Sequence, residues 1–191
     1  MYKNKHLENA DIKGENFIED SFINCGFLDT HLKLSSFKSC IFKDCDFTGV
    51  IFEMTSFEDC KFFDSKLNNL DFSEVQLKNC KFDNCVIKNS IFQTYKVGEK
   101  NIKEITKLQN SSFTNSDLSA SVFIKCNLTE SIFLRSNLNN VHFENCNLYL
   151  ADFSQANIER INFSDSKISQ TKIDFNGLIS FGLSKGFVIN N

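Results

Sequence analysis

Eleven side chains in this 191-residue chain could bind a metal or carry thiol chemistry: Cys25, Cys40, Cys45, Cys60, Cys80, Cys85, Cys126 and Cys146, with His6, His31 and His142. Thiolate and imidazole are the usual zinc ligands. A zinc site needs them to converge tetrahedrally, commonly from cysteines separated by two to four residues. Here the nearest cysteines, Cys40 with Cys45 and Cys80 with Cys85, are five apart. Whether they make a site or fill a core depends on the frame that spaces them.

That frame has a period of five. From Leu7 to Phe92 every fifth residue is bulky and apolar, and the run resumes from Leu108 to Ile173. All 32 positions obey it, and they hold 18 of the 22 Phe. Two residues before each centre, a small residue (Ala, Cys, Ser, Thr or Val) fills 27 of the 32 positions; Lys5, Glu15, Asp20, Leu70 and Ile161 are the exceptions. All eight cysteines fall in this small slot. All three histidines fall just before a centre, among the polar residues.

A period of five fits neither an amphipathic helix nor an alternating strand. It fits a chain that turns inward at every step: four sides of five residues make a square coil of 20. Coils stacked at the strand spacing of about 4.8 Å pair their backbone groups with each other and enclose one continuous core. Residues 20 apart then form columns, such as Phe22, Phe42, Phe62 and Phe82. The absence of Pro agrees, because each coil needs its backbone donors. The expected fold is therefore all-β: a right-handed quadrilateral parallel β-helix with one insertion and a C-terminal cap.

In that fold the cysteines become small core filler, and the histidines point outward. Stacked Cys40 and Cys60 would lie within disulfide range by Cα distance. Their side chains, however, point in parallel rather than at each other. The N-terminus, Met-Tyr-Lys-Asn-Lys, is too polar for a signal peptide, so reduced thiols in a cytoplasmic setting are expected. An interior packed with Phe and Leu leaves no pocket for a nucleophile, base and orienting group. Gly177, Gly182 and Gly186 follow no phosphate-loop pattern. No catalytic, metal or cofactor residue is expected, and the chain reads as a non-enzyme.

Composition narrows the partner. Lys plus Arg total 21 and Asp plus Glu 24, for a net charge of -3. That is no basic surface for direct nucleic-acid binding. No apolar run approaches the roughly 20 residues of a membrane helix.

The frame breaks once. Phe92 and Leu108 are 16 apart. Either one residue bulges and the repeat continues, or about 11 residues loop out and the columns resume. The first needs Tyr95 and Lys100 in buried small slots, so the excursion is favoured, with a short helix plausible around Ile102 and Ile105. This divides the chain into a first section (1–92), an insert (93–107), a second section (108–175) and a tail (176–191). The centres keep phase across the break, so one axis is expected; two tandem β-helices are the alternative. The tail is apolar through Leu178, Ile179, Phe181, Leu183, Phe187 and Ile189. It is expected to cap the last coil or to pair with a second copy.

The short units Ser116-Asp117-Leu118-Ser119-Ala120, Cys126-Asn127-Leu128-Thr129-Glu130 and Ala151-Asp152-Phe153-Ser154-Gln155 resemble the pentapeptide-repeat motif, A(D/N)LXX. The resemblance covers nearly the whole chain and implies the right-handed quadrilateral β-helix. It also implies a function on the outer surface. Some members, the Qnr- and MfpA-like ones, act as DNA-like rods that bind type II topoisomerase, either gyrase or topoisomerase IV. Two expectations follow. The first is a rigid interaction scaffold whose insert, with Glu99, Lys100, Lys103 and Glu104, meets a protein partner. The alternative is a DNA mimic carrying an acidic stripe, with Asp44, Asp64, Asp59 and Glu19 as its residues; the same column also reads as an ordinary solvated face.

Overall fold

A computed structural model describes residues 1–93 and 106–190. The chain winds as a right-handed, four-sided parallel β-helix with a core along its axis. Each side holds a strand of two to four residues or a tight turn. Every pairing between named strands is parallel, and most join residues 20 apart, as in Phe22↔Phe42 and Phe37↔Phe57. Face one is centred on Phe22, Phe42, Phe62 and Phe82. Face two is centred on Phe27, Phe47, Leu67 and Ile87, face three on Leu32, Phe52, Phe72 and Phe92, and face four on Phe17, Phe37, Phe57 and Leu77.

The centres pack as ring stacks along the axis. Phe22, Phe42, Phe62 and Phe82 lie 4.7–4.8 Å apart by centroid and within 9° of parallel. Rings on different faces meet edge to face, as Phe113 and Phe123 do at 5.9 Å and 85°. Both geometries suit the aromatic quadrupole. Coil spacing and ring spacing coincide, so a single side chain type can fill a column without strain or void.

Each side ends in a corner, and the corner needs a left-handed backbone. Twenty-seven non-glycine residues have φ between 49° and 59°. Ten are Asn and five Asp, the residues that best tolerate this region. Gly49 takes a corner at φ 73° for a further reason: a Cβ there would sit 2.2 Å from Asp29 Oδ1.

Across the break the register is offset by 31 instead of 20. Lys81 pairs with Ser112, Val86 with Asp117, and Ile91 with Val122. The ring stacks run through: Phe92 and Phe123 are 4.5 Å apart and 2° from parallel. The offset is thus 11 residues longer than one coil, and the columns on either side stay aligned. Where the chain re-enters, Lys107 pairs with Lys78, two residues off that offset.

The ends depart from the repeat. At the start, the Met1 ammonium lies 3.1 Å from Asp20 Oδ1 and fastens the first coil. A short helix, α1 (Asn9–Ile12), replaces one strand, and Asn9 Oδ1 accepts from the His31 amide in place of a backbone carbonyl. Lys5 and Glu15 are exposed, as charged residues in a terminal small slot must be. At the other end, the uniform inward reading needs correction. Ile168 and Ile173 are half-exposed, because no further coil stacks on them. The helix α2 (Phe175–Ser184) follows them.

Candidate interaction faces

The eight cysteines are all free and all buried. Their role is visible in the contacts of the thiols. Cys40, Cys60 and Cys80 donate to the carbonyls of Phe17, Phe37 and Phe57, 23 residues back and one coil below. Cys45 and Cys146 do the same to Phe22 and Phe123, and Cys126 does so across the break to Phe92, 34 residues back. Ser and Thr in the slot use the same geometry: Thr55 Oγ1 reaches Leu32 O at 2.6 Å, and Ser116 Oγ reaches Phe82 O at 2.6 Å. Ser116 also accepts from the Cys85 amide at 2.8 Å, so one hydroxyl clamps the coils on both sides of the insert. The slot therefore takes a small side chain, in most coils one with a donor, and Cys supplies both, while Ala and Val fill it by size alone at positions such as Val50 and Ala151. Burial pushes the Cys45, Cys80 and Cys85 thiols up to about 12, far from thiolate chemistry. Among the described residues, no group of three or more His, Cys, Asp or Glu could hold a metal ion.

The proposed acidic residues sit at corners. Asp44 and Asp64 share the column Asn24, Asp44, Asp64, Asn84; Glu19 and Asp59 share the column Glu19, Ser39, Asp59, Asn79. All four are exposed and have φ of 51–55°. The two columns bound face one on either side, and that face carries Lys43, Lys61 and Lys81 between them. The carboxylates are thus interleaved with ammonium groups. The corner backbone accounts for the Asp by itself, since Asn fills the same columns at Asn24, Asn79 and Asn84.

Elsewhere charge is paired along the columns. On face four Glu58 lies between Lys38, at 3.5 Å, and Lys78, which is hydrogen-bonded to it. On face two Lys66 meets Asp46 at 3.3 Å, and Lys88 meets Asp117 at 3.0 Å. Exposed pairs like these contribute little individually.

At the C-terminal end, Asp174 caps α2 by accepting from the Gly177 amide at 2.8 Å, and it also accepts from the Gln155 amide. The Gly177 and Gln155 amides hold its carboxyl below the usual range. Phe181 packs on Phe163, with centroids 6.1 Å apart. Ile179 is half-buried, while Leu178, Leu183, Phe187 and Ile189 are exposed, together with Phe175 and Val188. The tail covers the last coil with one side and leaves its other apolar side open. An open groove of about 470 Å³ beside it is lined by Glu159, Arg160, Ser180, Leu183 and Ser184. It pairs a carboxylate with a guanidinium at 3.7 Å and holds no imidazole or thiol.

Glu99, Lys100, Lys103 and Glu104, the short-helix reading, and any cleft between insert and coil lie outside the described residues. The exposed apolar side chains Leu34, Ile51 and Met54 went unread in the sequence. Their signal was an apolar residue in an outward position of the frame, two of them at corners that elsewhere favour Asn or Asp. No described helix is long and apolar enough to cross a membrane.

The fold and its outward-facing columns define a β-solenoid scaffold. The family model "Pentapeptide repeat region" matches residues 15–92 and 105–178, more than half of the chain, and the protein belongs to the pentapeptide-repeat family. Among solved structures, full-length QnrB1, a plasmid-mediated fluoroquinolone resistance protein, aligns over 97% of both chains at a TM-score of 0.72 and 17% identity. A trypsin-treated variant of QnrB1 aligns over 100% of both chains at 0.58 and 16%. At such identities the likeness is one of fold. No curated protein matches the sequence.

Proposed function

We propose that this protein is a non-enzymatic scaffold: a rigid rod that presents regularly spaced side chains to a protein partner. The observation that carries this reading is the core itself. Ring stacks at coil spacing fill the axis, and slot donors tie each coil to the one below. Such a rod holds its outer columns in fixed register, which suits recognition of another surface more than a chemical step. Eight reduced thiols fit a cytoplasmic setting. The open apolar side of α2 suits pairing with a second copy.

A second reading is binding to type II topoisomerase, with protection against quinolones. It is favoured by the end-to-end alignment with QnrB1. The lysines among the corner carboxylates of face one weigh against close mimicry of a phosphate backbone. A supercoiling assay with purified gyrase, run with and without a quinolone, separates the two. Protection or inhibition at low micromolar protein supports topoisomerase binding. No effect from folded protein leaves the scaffold with another partner.

A further inference from the structure

Face three carries a surface that the repeat does not require. In the second and third coils its outward positions read His31, Lys33, Leu34 and then Ile51, Glu53, Met54; in the fourth they read Asp71, Ser73, Glu74. Leu34 and Met54 stand at corners with φ of 55° and 49°, where most columns carry Asn, Asp or Gly. Their exposures are 50% and 54%, and that of Ile51 is 62%. An apolar side chain with no group to hydrogen-bond the local backbone gains nothing in a left-handed corner, and exposing it adds a second penalty. Two such residues, one coil apart at the same corner, go against local stability twice.

The charges around them are arranged in rows. Glu53 is neutralised by Lys33, 2.5 Å away, with His31 Nε2 at 3.1 Å. That cluster lies between Ile51 and Met54, which are three residues apart and so about 10 Å apart along an extended side. The next coil puts Asp71 over Ile51 and Glu74 over Met54. Among the described residues neither carboxylate has an ion-pair partner; Asp71 Oδ1 accepts only from the Ser73 amide. Asp29, exposed at the neighbouring corner, adds a third unpaired carboxylate. Ile51 and Met54 thus each have, among the described residues, an unpaired carboxylate about 5 Å further along the axis, the coil spacing.

We infer that face three of the second to fourth coils docks a protein segment that presents apolar side chains flanked by Lys or Arg. The apolar groups cover Leu34, Ile51 and Met54, while the cations meet Asp71 and Glu74. Interfaces of this kind draw affinity from a few buried anchors and use rim charge for orientation and on-rate. The inference rests on the scaffold reading and names its surface and its partner's chemistry.

The test uses the full chain and a fluorescein-labelled synthetic 15-residue peptide of Leu and Lys, with matched peptides carrying Glu for Lys or Ser for Leu. Fluorescence anisotropy reads affinity, hydrogen exchange reads the protected amides, and urea unfolding reads stability. The Leu/Lys peptide is expected to bind, to protect residues 31–36 and 51–56, and to lose at least tenfold in affinity with Leu34→Asn plus Met54→Asn. The same pair of substitutions is expected to raise the urea midpoint, because Asn suits the corner. Asp71→Asn plus Glu74→Gln should weaken binding and flatten its salt dependence. Equal binding by the Glu peptide, unchanged affinity in the Leu34/Met54 variant, or a fall in its urea midpoint overturns the inference. Protection of a different face overturns this surface and leaves the scaffold reading standing. Absence of protection on every face, with any of the peptides, counts against both.

Discussion

The Cys60 thiol donates to the carbonyl oxygen of Phe37 across 3.3 Å, from one coil to the coil beneath it. The same contact recurs up the column at Cys80 with Phe57. It ties the small-slot preference to backbone satisfaction. Leaving a buried carbonyl without a donor costs about 1–3 kcal/mol. Cys60→Ala is therefore expected to lower stability by about 1–2 kcal/mol, and Cys60→Ser, which keeps a donor, by less. Urea unfolding midpoints check the order; an alanine variant as stable as the serine variant would show that the thiol acts only by volume.

Burial makes the eight thiols inert in the folded rod, and it raises the pKa of Cys45, Cys80 and Cys85. At pH 8 none of the eight should react with a thiol-specific reagent on the timescale of minutes, and all eight should react in urea. A rapid native phase of one or more equivalents would mean that a slot opens locally.

The corner positions predict a contrast between charge and backbone. Asp44→Asn and Asp64→Asn should leave stability unchanged, since Asn takes the same left-handed geometry. Asp64→Val should cost roughly 1–2 kcal/mol, because a β-branched side chain crowds that region. Thermal unfolding of the three variants measures this. If Asn is as harmful as Val, the carboxylate has a role that the corner does not explain.

Acid should loosen the C-terminal helix. Asp174 is held below its ordinary range by the Gly177 and Gln155 amides, so its stabilising contribution is present above the unfolded carboxylate pKa of about 3.9 and is lost as pH falls through the lower folded value. Asp174→Ala should reproduce that loss at pH 7: less helical circular dichroism, more binding of a hydrophobic dye, and no change in the coil. A variant whose helix survives intact at pH 7 contradicts the capping role.

Removing the insert tests the register directly. Lys81, Val86 and Ile91 already pair with residues 31 further on. Deleting 11 residues between Phe92 and Thr106 should restore an offset of 20, keep the circular dichroism and leave the midpoint within a few degrees. Loss of the fold would assign the segment a structural role.

The sequence by itself determined the solenoid. A bulky residue at every fifth position with a small one two before it admits only a chain that turns at each step, and stacking follows because backbone groups must pair. It also placed the cysteines inside and the histidines outside, since both lie on fixed positions of the frame. Only the tertiary structure decided what the outward residues do. The Asp44 and Asp64 column looked like a charged stripe in one dimension; coiling revealed a left-handed corner under each carboxylate and lysines beside it. Leu34, Ile51 and Met54 looked incidental, because they are separated by 3 to 20 residues along the chain. Stacking brings them onto one face, with Asp71 and Glu74 on the next coil. The frame acts through neighbours five apart, which a sequence displays. The surface acts through neighbours 20 or 31 apart, and those distances exist only once the coils have stacked.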